Sequence, residues 1–141
     1  MLWVMPGLGV AECRRRFTAQ PIVVLATHGR NGEIDLVPIT FASREDVLVS
    51  AVDDKPKSTR RLQRLRNIDE DPQVTLLADH RDDDWERLWW VRARGTATVV
   101  DIAPAWSLDV LAERYAPYRE RPPTGPFVVI EVSAWSGWSY V

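Results

Sequence analysis

The chain has 141 residues, 45% hydrophobic and 27% charged, with a formal net charge of −2, which fits one ordinary globular domain burying roughly two thirds of its unfolded surface. A slightly acidic molecule argues against general attraction to a polyanion, and the single cysteine, Cys13, excludes an internal disulfide and a cysteine-only metal site, so a reducing, cytoplasmic setting is expected. No apolar run approaches the roughly 18 to 20 residues of a membrane span, and MLWVMPGLGV lacks the charged front and cleavage site of a secretory leader.

The whole chain, 1–141, reads as a single domain, with residues 1–11 a poorly ordered or peripheral lead-in. Glu12 to Ala19 reads as a short helix. Pro21 then opens IVVLAT, rich in β-branched residues and too short for anything but a strand. Asn31-Gly32 signals a hairpin turn because both residues tolerate positive φ, and LVPITFA returns as the second strand. Pro38 within it cannot donate a ladder hydrogen bond, which indicates an edge, a bulge or a place where a ligand replaces a neighbouring strand.

Ser43 to Asp46 is a turn, DVLVSAV a third strand and Asp53 to Ser58 a loop. Ser58 or Thr59 caps a helix through Ile68 with Leu62, Leu65 and Ile68 as its apolar stripe, and Asp71-Pro72 ends it. VTLLAD is a fourth strand, HRDDDWER a charged connection, and LWWVRARGTATVVD a long fifth strand with Gly95 as a bulge. Pro104 starts a helix to about Glu120 with Leu108, Leu111, Ala112 and Tyr115 on one side; RPPTGP breaks it and FVVIEVSAW is the last strand. Six strands with short helices between hairpins predict a mainly β fold, a closed or nearly closed antiparallel barrel with peripheral helices.

Positive charge is concentrated. Lys55, Lys57, Arg60, Arg61, Arg64 and Arg66 are six of the chain's 18 Lys and Arg, and they follow an apolar strand directly. KPKST at the start of RRLQRL brings together ammonium groups, hydroxyls and a helix N-terminus, the combination that holds a phosphate or carboxylate. Arg60, Arg61 and Arg64 can extend along an anionic tail by forked hydrogen bonds. The competing reading is a solvated helix face, with Arg61 and Arg66 paired to Asp69, Glu70 or Asp71.

Seven tryptophans are many for this length, and Trp89, Trp90, Trp135 and Trp138 fall in two clusters of the kind found at subunit interfaces or over flat ligands. His80 lies among Asp79, Asp82, Asp83 and Asp84, but one imidazole with loosely spaced carboxylates reads as a solvated turn and no metal site is assigned. His28 reads as a turn residue, with a substrate-side acid as its alternative. No Ser-His-Asp, Cys-His or paired-carboxylate arrangement is present to assign as catalytic.

The succession of strand, Asn-Gly hairpin, LVP strand, SAVD strand, KPK loop and RLQRLRNI helix resembles the split β-barrel flavin and deazaflavin oxidoreductases of the pyridoxamine 5′-phosphate oxidase-like superfamily, from about Cys13 to the C-terminus. More narrowly, KPKSTRRLQRLRNI, LLADHRDDDWERLWWVRARGTA, RYAPYRERPPTGP and WSGW resemble an actinobacterial subgroup described as coenzyme F420-dependent. The resemblance implies a six-stranded, FMN-binding type of split barrel and a homodimer with two cofactor sites at the interface, in which hydride chemistry belongs to the cofactor.

On the matching positions, it implies Lys55 and Lys57 at the phosphate, with Ser58, Thr59, Arg60 and Arg64 beside or beyond them. Backbone of Leu36 to Thr40, centred on Val37, Pro38 and Ile39, and of Val49 to Val52, with Ser50, Ala51 and Val52, would lie against the ring, with the Ser50 hydroxyl at its pyrimidine edge. Trp89 or Trp90 would wall the site, and Trp138 would cover the partner subunit's site. Arg81 stands where the subgroup commonly has an aromatic residue, which removes the basis for a substrate contact in that loop.

The surplus of cations beyond two lysines favours the long acidic tail of F420 over the single phosphate of FMN. The function expected is therefore transfer of a hydride from reduced F420 to a small, electron-poor organic molecule. An FMN-dependent enzyme of the same fold and a non-catalytic flavin carrier are the alternatives. Nucleic-acid binding is disfavoured by the net charge and the acidic run from Asp82 to Glu86.

Overall fold

The computed structural model describes residues 7–52 and 59–141, with side chains for all of these except 59–62. In chain order the elements are α1 (Val10–Ala19), β1 (Val23–His28), β2 (Ile34–Ile39), β3 (Ala42–Arg44), β4 (Val47–Ala51), α2 (Thr59–Glu70) and β5 (Gln73–His80). They continue with β6 (Trp89–Val100), α3 (Ala105–Arg114), α4 (Ala116–Glu120) and β7 (Phe127–Ser139).

Seven strands form one antiparallel sheet in the order β2-β1-β5-β6-β7-β4-β3, with helices at its periphery. This differs in strand number from the expected six-stranded split barrel, and of the two expected states, closed or nearly closed, it is not the closed one. LVPITFA does not run straight through: β2 stops at Ile39 and a separate strand, β3, begins at Ala42. Strands β2 and β3 are the two edges of the sheet and do not pair with each other. Three peptide steps from Ile39 to Ala42 span at most about 11 Å, so the sheet wraps until its edges nearly meet and leaves a split between them.

The local signals behave as their chemistry requires. Asn31 takes φ 59° and Gly32 φ 75° in the turn after β1, and β6 shifts register at Arg94/Gly95. Strand β7 runs four residues past Trp135 because SGWS continues the ladder with the Trp89 end of β6. The end of the lead-in is tied to this same segment, with the Leu8 amide donating to the Gly137 carbonyl at 3.0 Å.

Alternation along the strands turns Val23, Leu25, Leu76, Val91, Ala93, Val128 and Ile130 inward under Cys13 and Phe17 of α1. Phe17 is fully buried, 5.5 Å from the Phe41 ring and edge-on to Trp135 at 5.2 Å. Trp135 is thus a core residue.

The helix expected from Pro104 to Glu120 is two helices. Tyr115 is extended, with φ −122° and ψ 116°. Its hydroxyl donates to the Pro21 carbonyl at 2.7 Å and accepts from the Phe41 amide at 3.2 Å, contacts that a continuous helix would not allow it to make. Leu108, expected on the apolar stripe, is exposed, whereas Leu111 and Ser107 are buried. Among the described residues no helix is long and apolar enough to cross a membrane.

Candidate functional site

The split between the sheet edges holds a cavity of about 460 Å³. One wall is the end of β2 and the residue after it, Val37 to Thr40. A second is Ser50 and Ala51 at the end of β4, a third carries Arg64 from α2, and Tyr115, Pro117 and Tyr118 close the remaining side. The pairing pattern explains why a cavity forms here. Strand β2 pairs only with β1, Pro38 opposite Val24, so its outer flank is unpaired in the sheet. Strand β3 ends its pairing at Ala42↔Val49, so β4 projects two residues beyond it while still paired to β7. The proline without an N–H therefore lies on an edge strand, where its missing donor leaves no ladder bond broken.

The polar groups around the cavity are partly committed. Ser50 Oγ donates to the Thr40 carbonyl at 2.8 Å across the split, so toward a ligand this hydroxyl acts through its lone pairs. Tyr115 is fixed by its two bonds to Pro21 and Phe41. Tyr118 packs edge-on against it at 5.9 Å, with its hydroxyl 3.3 Å from Thr40 Oγ1. The site thus combines strand backbone, apolar side walls, a guanidinium from one helix and a phenol from another, which suits a flat, partly polar and anionic ligand.

Of the residues singled out in the sequence, Val37, Pro38, Ile39, Ser50, Ala51 and Arg64 come together on this one cavity. Val52 does not: it is buried in the core, and its amide donates to the Pro126 carbonyl at 2.9 Å. Lys55, Lys57 and Ser58 lie outside the described residues, as do the side chains of Thr59, Arg60 and Arg61. Arg66 is exposed, and Glu70 pairs with Arg30 at 3.3 Å.

Trp89, Trp90 and Trp138 do not line the cavity. Val100 and Phe127 adjoin Ala51 at one end of the β6–β7 ladder, whereas Trp90 and Trp138 face each other near the other end, roughly 30 Å away along the strand. Alternation separates the two neighbouring indoles as expected. Trp89 packs against the core with the Arg16 guanidinium 5.7 Å from its ring, and Trp90 lies under Arg92 at 5.1 Å on the outer face.

Pro117 and Tyr118 carry no site signal in the sequence reading, Thr40 enters it only as the end of the ring-facing strand, and Tyr115 only as helix stripe. The available signal was YAPY, a proline two residues after a tyrosine inside a helical pattern. The acidic loop is a local network: His80 Nε2 is 3.7 Å from Asp82, whose carboxyl is held below its usual range chiefly by the Asp84 amide. Among the described residues no group of three or more His, Cys, Asp or Glu is arranged to hold a metal ion.

Residues 10–139 match the family described as pyridoxamine 5′-phosphate oxidase. The chain belongs to this family. No curated protein matches it. Among solved structures it is similar to a FAD-binding protein from Mesorhizobium loti, with 19% identity, 94% of each chain covered and a TM-score of 0.68. A conserved hypothetical protein from Mycobacterium tuberculosis matches with 20% identity over 94% of this chain and 85% of that one, TM-score 0.72. The FAD-binding protein from Mycobacterium smegmatis matches with 16% identity over 97% and 99%, TM-score 0.64. At these identities the likeness establishes the family's fold.

Proposed function

We propose that this family member is an oxidoreductase that uses a flavin-type cofactor, with F420 as the cofactor and a small, electron-poor organic molecule as the substrate. The observation that carries the proposal is the cavity at the split, where unpaired strand flanks, a cation and a phenol surround about 460 Å³, a volume within the ordinary range for small-molecule sites. A tricyclic ring needs apolar walls for its faces and backbone groups for its pyrimidine edge. Val37 to Ile39 and Ser50 with Ala51 supply both, and Arg64 supplies charge for an anionic substituent. Two FAD-binding proteins among the similar structures support the flavin class, and the basic run from Lys55 to Arg66 supports an acidic tail.

The bound cofactor would supply the hydride. The protein's part is to hold the ring edge on strand backbone, to exclude water with Pro117 and the tyrosines, and to keep a proton on Tyr118 Oη beside the cavity. Titration of the protein with F420, FMN and FAD, followed by fluorescence, tests the reading. F420 is expected to bind most tightly. Arg64→Ala should weaken it about 10- to 100-fold, the loss of one charge-assisted hydrogen bond of about 1.5–3 kcal/mol. Failure of all three cofactors to bind, or unchanged affinity in Arg64→Ala, overturns the proposal.

The proposal includes a homodimer with the cofactor sites at its interface. An apolar outer face starts at Pro38 on the cavity and continues through its pairing partners Val24 and Leu77 to Arg92, Trp90 and Trp138, with Ile34 and Leu36 beside it. Leu36 is 69% exposed and Ile34 59% in the single chain, and Arg92 Nε and Trp138 Nε1 are buried there without a hydrogen-bond partner among the described residues. A second subunit would cover the exposed apolar part of this surface. A monomer mass by sedimentation at micromolar concentration would overturn this part.

A further inference from the structure

Asn67, in the last turns of α2, is 1% exposed. A primary amide in that position is tolerated only when its hydrogen bonds are made. Its Nδ2 donates to Thr27 Oγ1 on β1 at 3.0 Å and to Asp35 Oδ2 on β2 at 2.6 Å, and its Oδ1 accepts from Gln63 Nε2 one helical turn earlier at 2.7 Å. Three of its four hydrogen-bonding positions are therefore occupied. The carboxylate of Asp35, an acceptor only, sets which end of the amide faces the sheet.

Glu70 adds an exposed ion pair to Arg30 in the turn of the β1–β2 hairpin at 3.3 Å, while the contacts of Ile68, which is buried, and Leu65, which packs against the core, are apolar. Burial of that kind is non-directional and tolerates a helix rolling about its axis. Hydrogen bonds do not, because distance and angle must hold together. Asn67 thus fixes the roll and register of α2 against the β1–β2 hairpin. Arg64 precedes it by three residues and shares its side of the helix. The strand that Asn67 grips through Asp35 is the one whose far end, Val37 to Ile39, walls the cavity that Arg64 also lines.

We propose that Asn67 is a positioning residue: its side-chain amide locks α2 to the β1–β2 hairpin and so holds Arg64 at the cavity wall, without touching a ligand itself. This role presupposes that the cavity is a ligand site, as proposed above.

The test is a charge swap. Asn67→Asp sets two carboxylates against each other in place of an amide and a carboxylate, and Asp35→Asn combined with Asn67→Asp restores one donor and one acceptor with their places exchanged. Val91→Ala, in the core of β6 away from the cavity, is the control for general destabilisation. Two quantities are read at pH 8: affinity for F420 and FMN by fluorescence titration, and hydrogen exchange across residues 63–70.

Asn67→Asp should weaken binding by about 10-fold or more, as expected when a buried hydrogen-bonded group loses its partner, and should speed exchange across α2. The swap should return both toward the parent, and Val91→Ala should leave affinity unchanged. Parent-like affinity in Asn67→Asp, or equal weakening in Val91→Ala, overturns the positioning role. If the parent binds neither cofactor, the ligand reading falls by itself. Hydrogen exchange still decides the clamp, and exchange in Asn67→Asp no faster than in the parent overturns it.

Discussion

Replacing Gly95 with alanine would place a methyl group inside the neighbouring strand. A Cβ at this position would lie 2.1 Å from the Glu131 carbonyl oxygen, 2.9 Å from its carbon and 3.0 Å from Val132 Cα. All three are backbone atoms, so no side chain can turn aside. To reach even the roughly 3.5 Å of ordinary contact, β6 and β7 must part by over about 1 Å. That separation gives up one or two ladder hydrogen bonds of about 1 kcal/mol each, in addition to about 1–3 kcal/mol for overpacking.

A total near 3 kcal/mol can be converted to a melting shift. Unfolding entropy of about 2.1 cal/mol/K per residue over 141 residues gives about 0.3 kcal/mol/K, so the Tm should fall by roughly 10 °C. Circular dichroism melting of Gly95→Ala measures it. Gly9→Ala serves as a control because a Cβ there meets nothing within 4 Å; as a change at a helix N-cap it should cost no more than about 1 kcal/mol, roughly 3 °C. A Gly95→Ala protein melting within about 3 °C of the parent would refute the claim that close strand approach at the bulge requires glycine.

Acid sensitivity has a defined sign. Hydrogen bonds from the Trp135 indole first and Arg14 second hold the Asp46 carboxyl below its ordinary value of 3.8. A depressed folded pKa means stability that is present above about 3.8 and lost as pH falls through the lower folded value. Asp46→Asn should therefore lower the Tm at pH 7 and flatten its decline below pH 4; an acid slope equal to the parent's would contradict this. Glu12, bonded by Arg15 and then Arg16, is lowered from 4.5 to about 2, and a carboxyl NMR titration finding it near 4.5 would remove those ion pairs from the solution structure. Phe17→Ala empties a fully buried site between Phe41 and Trp135; a loss of about 3–5 kcal/mol predicts a Tm lower by roughly 10 to 17 °C, and a shift under about 4 °C would show that the neighbours collapse into the space.

Local chemistry was readable in the sequence wherever a residue's own backbone preference decides the outcome. Asn31-Gly32 turns the chain, Pro38 sits on an edge, Gly95 marks the bulge, and the two-residue period sends Trp89 and Trp90 to opposite faces. The run from Val37 to Ile39 and the pair Ser50 and Ala51, named through family resemblance together with the strand pattern, line the cavity. None of these assignments needs knowledge of what lies across the molecule.

The rest depends on contacts between distant residues. Tyr115 reads as helix until its hydroxyl meets the Pro21 carbonyl, 94 positions away; that contact, together with Pro117 two residues on, accompanies the break between α3 and α4 that leaves Tyr118 at the cavity. Asn67 reads as one more polar residue of RLQRLRNI until Thr27 and Asp35, 40 and 32 positions away, receive its amide. The basic cluster reads as an anion site by composition, and only the fold selects which of its described charges faces the cavity: Arg64 lines it and Arg66 is exposed. Turns, charge and most strands follow from neighbouring residues and are legible in the chain alone, whereas the division of LVPITFA into β2 and β3 is not. The split, the two-helix closure and the hydrogen bonds of Asn67 to β1 and β2 were decided by tertiary packing, because hydrogen bonds and burial act between groups that only the fold brings within reach.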